Sequence, residues 1–250
     1  MKRDFNLIIC VFACDKIEKY RQEIRNINAT WGKMCVDNVK LLFFIGEDKT
    51  DEFSGENYIN LPNVKDDYES ASYKQFLGLK YIYENYEPEF VHCCGTDTFI
   101  NIPKLVCYIH QYKKEECLYI GGHGCHRQIG DKLYYYHSGG PGFVITHSCL
   151  GKLYPFLDTI MNEWITICKE NNVEYLITAC DVAISYFLQK PEINAMIIKT
   201  DDLSFISCNC YGYPCHQGQI EMKNIICCHL MNIENFVNFN EILLKKNHFL

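Results

Sequence analysis

Residues 6–13 read NLIICVFA, an almost unbroken apolar run, and a charged stretch, DKIEKYRQEIRN, follows at 15–26. A strand with one wet face alternates apolar and polar residues. One that is apolar throughout is buried on both faces, as in a parallel sheet covered by helices. Asp15 stands where a helix N-cap would, and the spacing predicts a helix from there to about Asn28. The chain therefore opens with a strand–helix unit.

The pattern repeats outward from this unit. KLLFFI at 40–45 predicts a second strand, and GEDKTDEFSGEN at 46–57 a loop. Between Ser70 and Tyr83, the residues Tyr73, Phe76, Leu77, Leu79, Lys80, Ile82 and Tyr83 recur at helical spacing. That helix leads into a strand at 89–94, which ends at a turn carrying a single carboxylate, Asp97. Pro103 predicts the start of a helix to about residue 111. LYIGG at 118–122 and KLYYYH at 132–137 predict two short β segments around a Gly/His-rich loop. Helices near 146–158, 159–171 and 177–189 and a strand near 195–199 follow. The expectation is a single α/β domain over residues 1–250, with a mixed, mainly parallel central sheet.

Composition narrows the function. The 250 residues are 48% hydrophobic and 22% charged, enough to bury a sizeable core. A net charge of −7 leaves no basic footprint, and Lys113-Lys114 is followed at once by Glu115-Glu116, so nucleic acid is not an expected partner. MKRDFNLIICVFAC at 1–14 has the charge order of a signal peptide, but no small-residue cleavage site follows, and it reads as the first strand. No apolar run approaches the roughly 20 residues that span a bilayer. The 16 cysteines lie largely within apolar runs, as buried reduced thiols do. A zinc module from Cys208, Cys210, Cys215, His216, Cys227 and Cys228 fits the usual paired spacing poorly.

Three residues matter for chemistry. In open α/β sheets ligands collect beyond the carboxyl ends of the strands, where Asp97 lies, although an Asx-turn accounts for it on local sequence alone. By themselves Asp181 reads as a helix N-cap or surface carboxylate and His229 as a core histidine.

Six segments in order change that reading: RNINATWG at 25–32, Lys74 within SASYKQFLGLKYIYENY, GTDTF at 95–99, SGGPGF at 138–143, CDVAI at 180–184 and CHL at 228–230. Together, over roughly residues 6–245, the chain resembles the fringe-like family of inverting β-1,3-glycosyltransferases, especially its core-1 galactosyltransferase branch. The resemblance implies a GT-A (Rossmann-like) domain, with the nucleotide bound by about 1–100 and acceptor and catalytic groups in about 101–250. It implies Asp97 and His229 as ligands of Mn2+ or another divalent cation, and Asp181 as the base that deprotonates the acceptor hydroxyl. It places Arg25, Lys74, Thr96, Gly139, Gly140 and Gly142 around a UDP-sugar donor. Successive glycines suit that place because backbone without Cβ can approach a sugar closely.

The implied reaction moves a hexose or N-acetylhexosamine from a UDP-sugar to a hydroxyl of a glycan or glycoprotein, with β-1,3 linkage. The alternative is an inactive carbohydrate-binding or scaffold protein that keeps the fold. Departures bear on the choice: the family's acidic triplet is here Gly95-Thr96-Asp97, Cys180 replaces an acidic residue, and Asn28 replaces a basic one. The expected partners are donor and acceptor, with a homodimer allowed. The thiols favour a cytoplasmic setting (host-cell cytoplasm for a viral protein), a luminal or Golgi one requiring removal of an anchor.

Overall fold

Leu7, Ile8, Ile9, Cys10 and Val11 are all fully buried, as the unbroken apolar run requires. The computed structural model describes residues 2–50, 52–122, 124–200, 205–207 and 225–229. In chain order the first half comprises β1 (Arg3–Phe12), α1 (Glu18–Ala29), β2 (Val39–Gly46), β3 (Tyr58–Leu61), α2 (Ala71–Asn85), β4 (Tyr86–Gly95), β5 (Thr98–Ile100) and α3 (Ile102–Ile109). The second half comprises β6 (Leu118–Gly121), β7 (Gly124–Ile129), β8 (Lys132–His137), β9 (Phe143–Thr146), α4 (His147–Leu153), α5 (Ile160–Glu170), α6 (Cys180–Leu188), β10 (Met196–Lys199), β11 (Phe205–Ser207) and β12 (Cys227–His229).

Seven strands form the central sheet in the order β10-β6-β9-β4-β1-β2-β3. Only β9 runs against its neighbours, β4 and β6; the other pairs are parallel. The expected mixed, mainly parallel α/β sheet is thus present. Because strand side chains alternate between faces, β1 sends Ile8 and Cys10 to one side and Leu7, Ile9 and Val11 to the other. The first side packs on α2, α4, α5 and α6 through Phe76, Leu79, Leu150, Trp164 and Phe187. The second packs on α1 and α3 through Ile24, Ile27, Leu105 and Ile109, with Trp31 wedged among them.

Several local expectations need correction. Asp15 does not cap α1: Ile17 occupies that position without a side-chain cap. Asp15 is buried instead, accepting a hydrogen bond from Thr50 Oγ1 at 2.7 Å. Its own N–H and that of Lys16 donate to Asp66 Oδ2, at 2.6 and 2.9 Å, so a distant carboxylate holds the approach to the helix rather than its first turn. The Gly/His-rich loop becomes strand β7, paired antiparallel with β8 as a hairpin beside the main sheet. FVIT at 143–146, for which the sequence pattern predicts no strand, is β9, with all four residues buried. The helix that follows stops at Leu153, and α6 starts at Cys180, three residues later than the periodicity suggested. Of the zinc-module residues, Cys208, Cys210, Cys215 and His216 lie outside the described residues, while Cys227 and Cys228 are buried in β12.

Two buried histidines give the fold a pH dependence. Among the described residues neither ring nitrogen of His92 in β4 has a hydrogen-bond partner, and burial lowers its pKa from 6.5 to about 3. His137 in β8 places Nδ1 3.0 Å from the Gly122 carbonyl oxygen, and burial lowers its pKa to about 4. Both are neutral in the fold and protonate near 6.5 when the chain unfolds. The unfolded state therefore binds more protons below that pH, and stability present above 6.5 is lost as pH falls. Each histidine should cost about 2 kcal/mol between pH 7 and 5, at about 1.4 kcal/mol per unit. Urea titrations of wild type and His92→Leu should show the variant losing less stability over this range. Equal losses would count against the buried neutral imidazole.

Candidate active site

A cleft of about 210 Å³ lies beyond the carboxyl ends of β1 and β4, and Asp97, Asp181 and His229 all line it. Three elements deliver them. The strand β4 ends at Gly95, the turn follows, and β5 begins at Thr98. Pairing of β12 antiparallel to β5 sets His229 opposite Thr98, which brings its Nε2 to 2.9 Å from Asp97 Oδ2. Trp31, fully buried, donates from Nε1 to the Thr98 carbonyl at 3.1 Å and so fixes the start of β5. Asp181 sits in the first turn of α6, where an acidic side chain is favoured by the helix dipole.

The glycine loop between β8 and β9 connects the two sets. Gly139 N donates to Asp181 Oδ2 at 2.9 Å, and Val182 N donates to Oδ1 at 2.9 Å. One residue on, the Gly140 carbonyl accepts from Thr98 Oγ1 at 2.7 Å. A Cβ on Gly140 would come within 2.6 Å of the His229 ring, so only glycine lets the loop pass there. Gly142 has φ +78° and lies against His92, where a Cβ would stand 2.5 Å from Nε2; it shapes the loop without lining the cleft.

Charges in the cleft are perturbed. Burial pushes the Asp181 carboxyl above its usual range, while the Gly139 and Val182 N–H groups and the charge of Arg127 pull it back. Burial disfavours the His229 imidazolium, but the hydrogen bond and charge of Asp97, with Glu23 adding to them, raise it above its ordinary value. Burial and the adjacent Asp181 hold the Cys180 thiol up, so Cys180 gives Asp181 no like-charged neighbour.

The remaining expected ligands divide. Thr96, Gly139 and Gly140 line the cleft. Lys74 also reaches it, but its ammonium is only 1% exposed and fully engaged. It donates to Asp66 Oδ1 and the Ala13 carbonyl at 2.7 Å and to the Asp67 carbonyl at 3.2 Å. With three donors used, it ties α2 to the loops that frame the cleft and has no bond left for a phosphate. Lys74→Met should lower unfolding stability by about 3–5 kcal/mol in urea, because it strands a buried carboxylate; a loss near zero would contradict this. Arg25 is not brought to the cleft: its guanidinium grips Glu52 at 2.6 and 2.8 Å and Glu18 at 2.8 Å.

Other cleft residues escaped the sequence reading. Tyr20 and Tyr68 stack with ring centroids 6.4 Å apart, and Tyr68 is 65% exposed. Glu23, buried beside the turn, accepts from Thr96 Oγ1. Its signal was available, since Tyr20, Ile24 and Ile27 mark the inward stripe of α1 and Glu23 falls on it, where a carboxylate is out of place.

The donor set suits a divalent cation. A carboxylate oxygen and an imidazole nitrogen are ligands that hard to borderline ions accept. Adjacent octahedral ligands about 2.1 Å from an ion lie about 3 Å apart, close to the 2.9 Å between Asp97 and His229. Among the described residues no group of three or more His, Cys, Asp or Glu side chains could hold an ion. Further ligands would come from the substrate and water.

The family model described as Fringe-like matches residues 3–201. No curated protein sequence matches the chain. Among solved structures, a glycosyltransferase involved in the glycosylation of the major capsid of PBCV-1 is similar with a TM-score of 0.53 at 12% identity, over 95% of this chain and 98% of that one. The apo form of the glycosyltransferase GlyE of Streptococcus pneumoniae TIGR4 is similar with a TM-score of 0.53 at 14% identity, over 98% of this chain and 63% of that one. At such identities the likeness concerns the fold, which is that of GT-A glycosyltransferases. Among the described residues no helix is long and apolar enough to cross a membrane.

Proposed function

Because this chain belongs to the Fringe-like family, and is a glycosyltransferase by family and fold, we propose that it is a metal-dependent inverting enzyme. It transfers a hexose or N-acetylhexosamine from a UDP-sugar to a hydroxyl of a glycan or glycoprotein, in β-1,3 linkage. The observation that carries this reading is the convergence of Asp97, His229 and Asp181 on one cleft. The uridine is taken from the family.

In this reading Asp97 and His229 would hold a divalent cation, which when bound would neutralise charge on the departing diphosphate. Asp181 works on the other reactant. Each of its oxygens accepts one backbone N–H, which fixes the carboxylate plane and leaves lone pairs for the acceptor proton. Its raised pKa makes it a better proton acceptor than an ordinary aspartate. Thr96 and the Gly139–Gly140 backbone form the wall between the two groups, where the donor sugar would lie.

A panel of UDP-sugars incubated with and without Mn2+ tests the proposal. At least one should release UDP with Mn2+ and none after chelation. No release from any donor, together with no Mn2+-dependent UDP binding in calorimetry, would favour the inactive carbohydrate-binding alternative.

A further inference from the structure

We propose that Glu23 is a positioning residue for the cation site, holding the Thr96 hydroxyl and through it the direction in which Asp97 presents its oxygen. This rests on the reading of Asp97 and His229 as cation ligands. Glu23 is 7% exposed, and a carboxylate that deep is unfavourable unless it is hydrogen-bonded. Among the described residues it has two partners. One is Lys19, whose Nζ lies 3.8 Å from Oε1 on a side chain 63% exposed, a contact too screened to justify the burial. The other is Thr96 Oγ1, which donates to Oε2 and is itself 5% exposed.

Thr96 immediately precedes Asp97, so its side chain controls the turn. On the far side the turn is already secured, by Thr98 Oγ1 on the Gly140 carbonyl and by Trp31 on the Thr98 carbonyl. On the near side the turn is tight, since a Cβ on Gly95 would stand 2.9 Å from Asp97 Oδ1. The Glu23–Thr96 bond supplies the near-side anchor. Helix α1 is packed on the sheet through Ile24 and Ile27, so the anchor is rigid. Groups that orient a metal ligand in this way typically contribute 10–100-fold to affinity.

The test is a double-mutant cycle on the full chain, with Mn2+ affinity read by calorimetry and by the Mn2+ resonance spectrum in saturating UDP. Glu23→Ala and Thr96→Val should each weaken Mn2+ binding about 10–100-fold, and the double variant should be no worse than the weaker single. Glu23→Gln, whose amide oxygen still accepts from Thr96, should recover most of the loss. Wild-type affinity in Thr96→Val, additive losses, or a Glu23→Gln variant as weak as Glu23→Ala would each overturn the inference. If Glu23→Ala does not fold, Thr96→Val and Glu23→Gln decide it. A wild-type chain that binds no Mn2+ with UDP would instead overturn the cation reading itself.

Discussion

Asp181→Asn should lower the rate of sugar transfer by about 10²–10⁴-fold, the usual contribution of a positioned general base, while UDP binding stays intact. The substitution is nearly isosteric. The amide oxygen can keep the hydrogen bond from one of the two N–H donors, Gly139 or Val182, that now hold the carboxylate. What disappears is the lone pair that would take the acceptor's proton. Single-turnover transfer alongside calorimetric UDP binding separates these effects, and full turnover by the variant would remove Asp181 from the role. The wild type offers a second check. A base must be ionised to act, and burial raises the Asp181 pKa. Activity should therefore fall on acidification at a pH above the ordinary aspartate value of about 4.

Asp97→Ala or His229→Ala should remove the Mn2+-dependent part of UDP binding and lower turnover by about 10²–10³-fold, the scale of losing a group that stabilises developing charge. The two side chains touch at 2.9 Å, so their effects should not add: once one ligand is lost the other has little to hold. Titrating UDP into each variant with and without Mn2+ measures this. A variant that retains wild-type Mn2+ dependence would exclude its residue as a ligand. Because the pair joins β12 to the turn after β4, each substitution also calls for an unfolding curve, to show that the loss is local.

The parts of the fold that could be read from sequence are those where one physical pattern dominates. From Leu7 to Phe12 the strand β1 is apolar because both its faces are covered there, and a run that short, followed at once by a charged helical pattern, reads as a buried strand. The strand β9 was hidden for a complementary reason: four apolar residues between a glycine loop and a helix have no period of their own, and only the pairing with β4 and β6 makes them a strand. The site divides similarly. Asp97, Asp181 and His229 stood out through the order of motifs, which proximity in the fold then gives a physical meaning. The ion pair of Lys74 was not legible because its partner Asp66 lies in a loop, and no periodicity reports which carboxylate a buried ammonium will find. Arg25 could have been placed better, since it falls seven residues after Glu18 on the outward side of α1, opposite Ile24 and Ile27.

Two successive residues, Gly139 and Gly140, touch both sides of the cleft: the first steadies Asp181, and the second abuts His229. Successive Cα atoms are about 3.8 Å apart whatever the conformation of a trans chain. The interval between Asp181 and His229 is thereby gauged by a covalent length, which thermal motion cannot stretch. Lengthening this loop by a single amino acid would leave every reactive group present and still spoil their alignment.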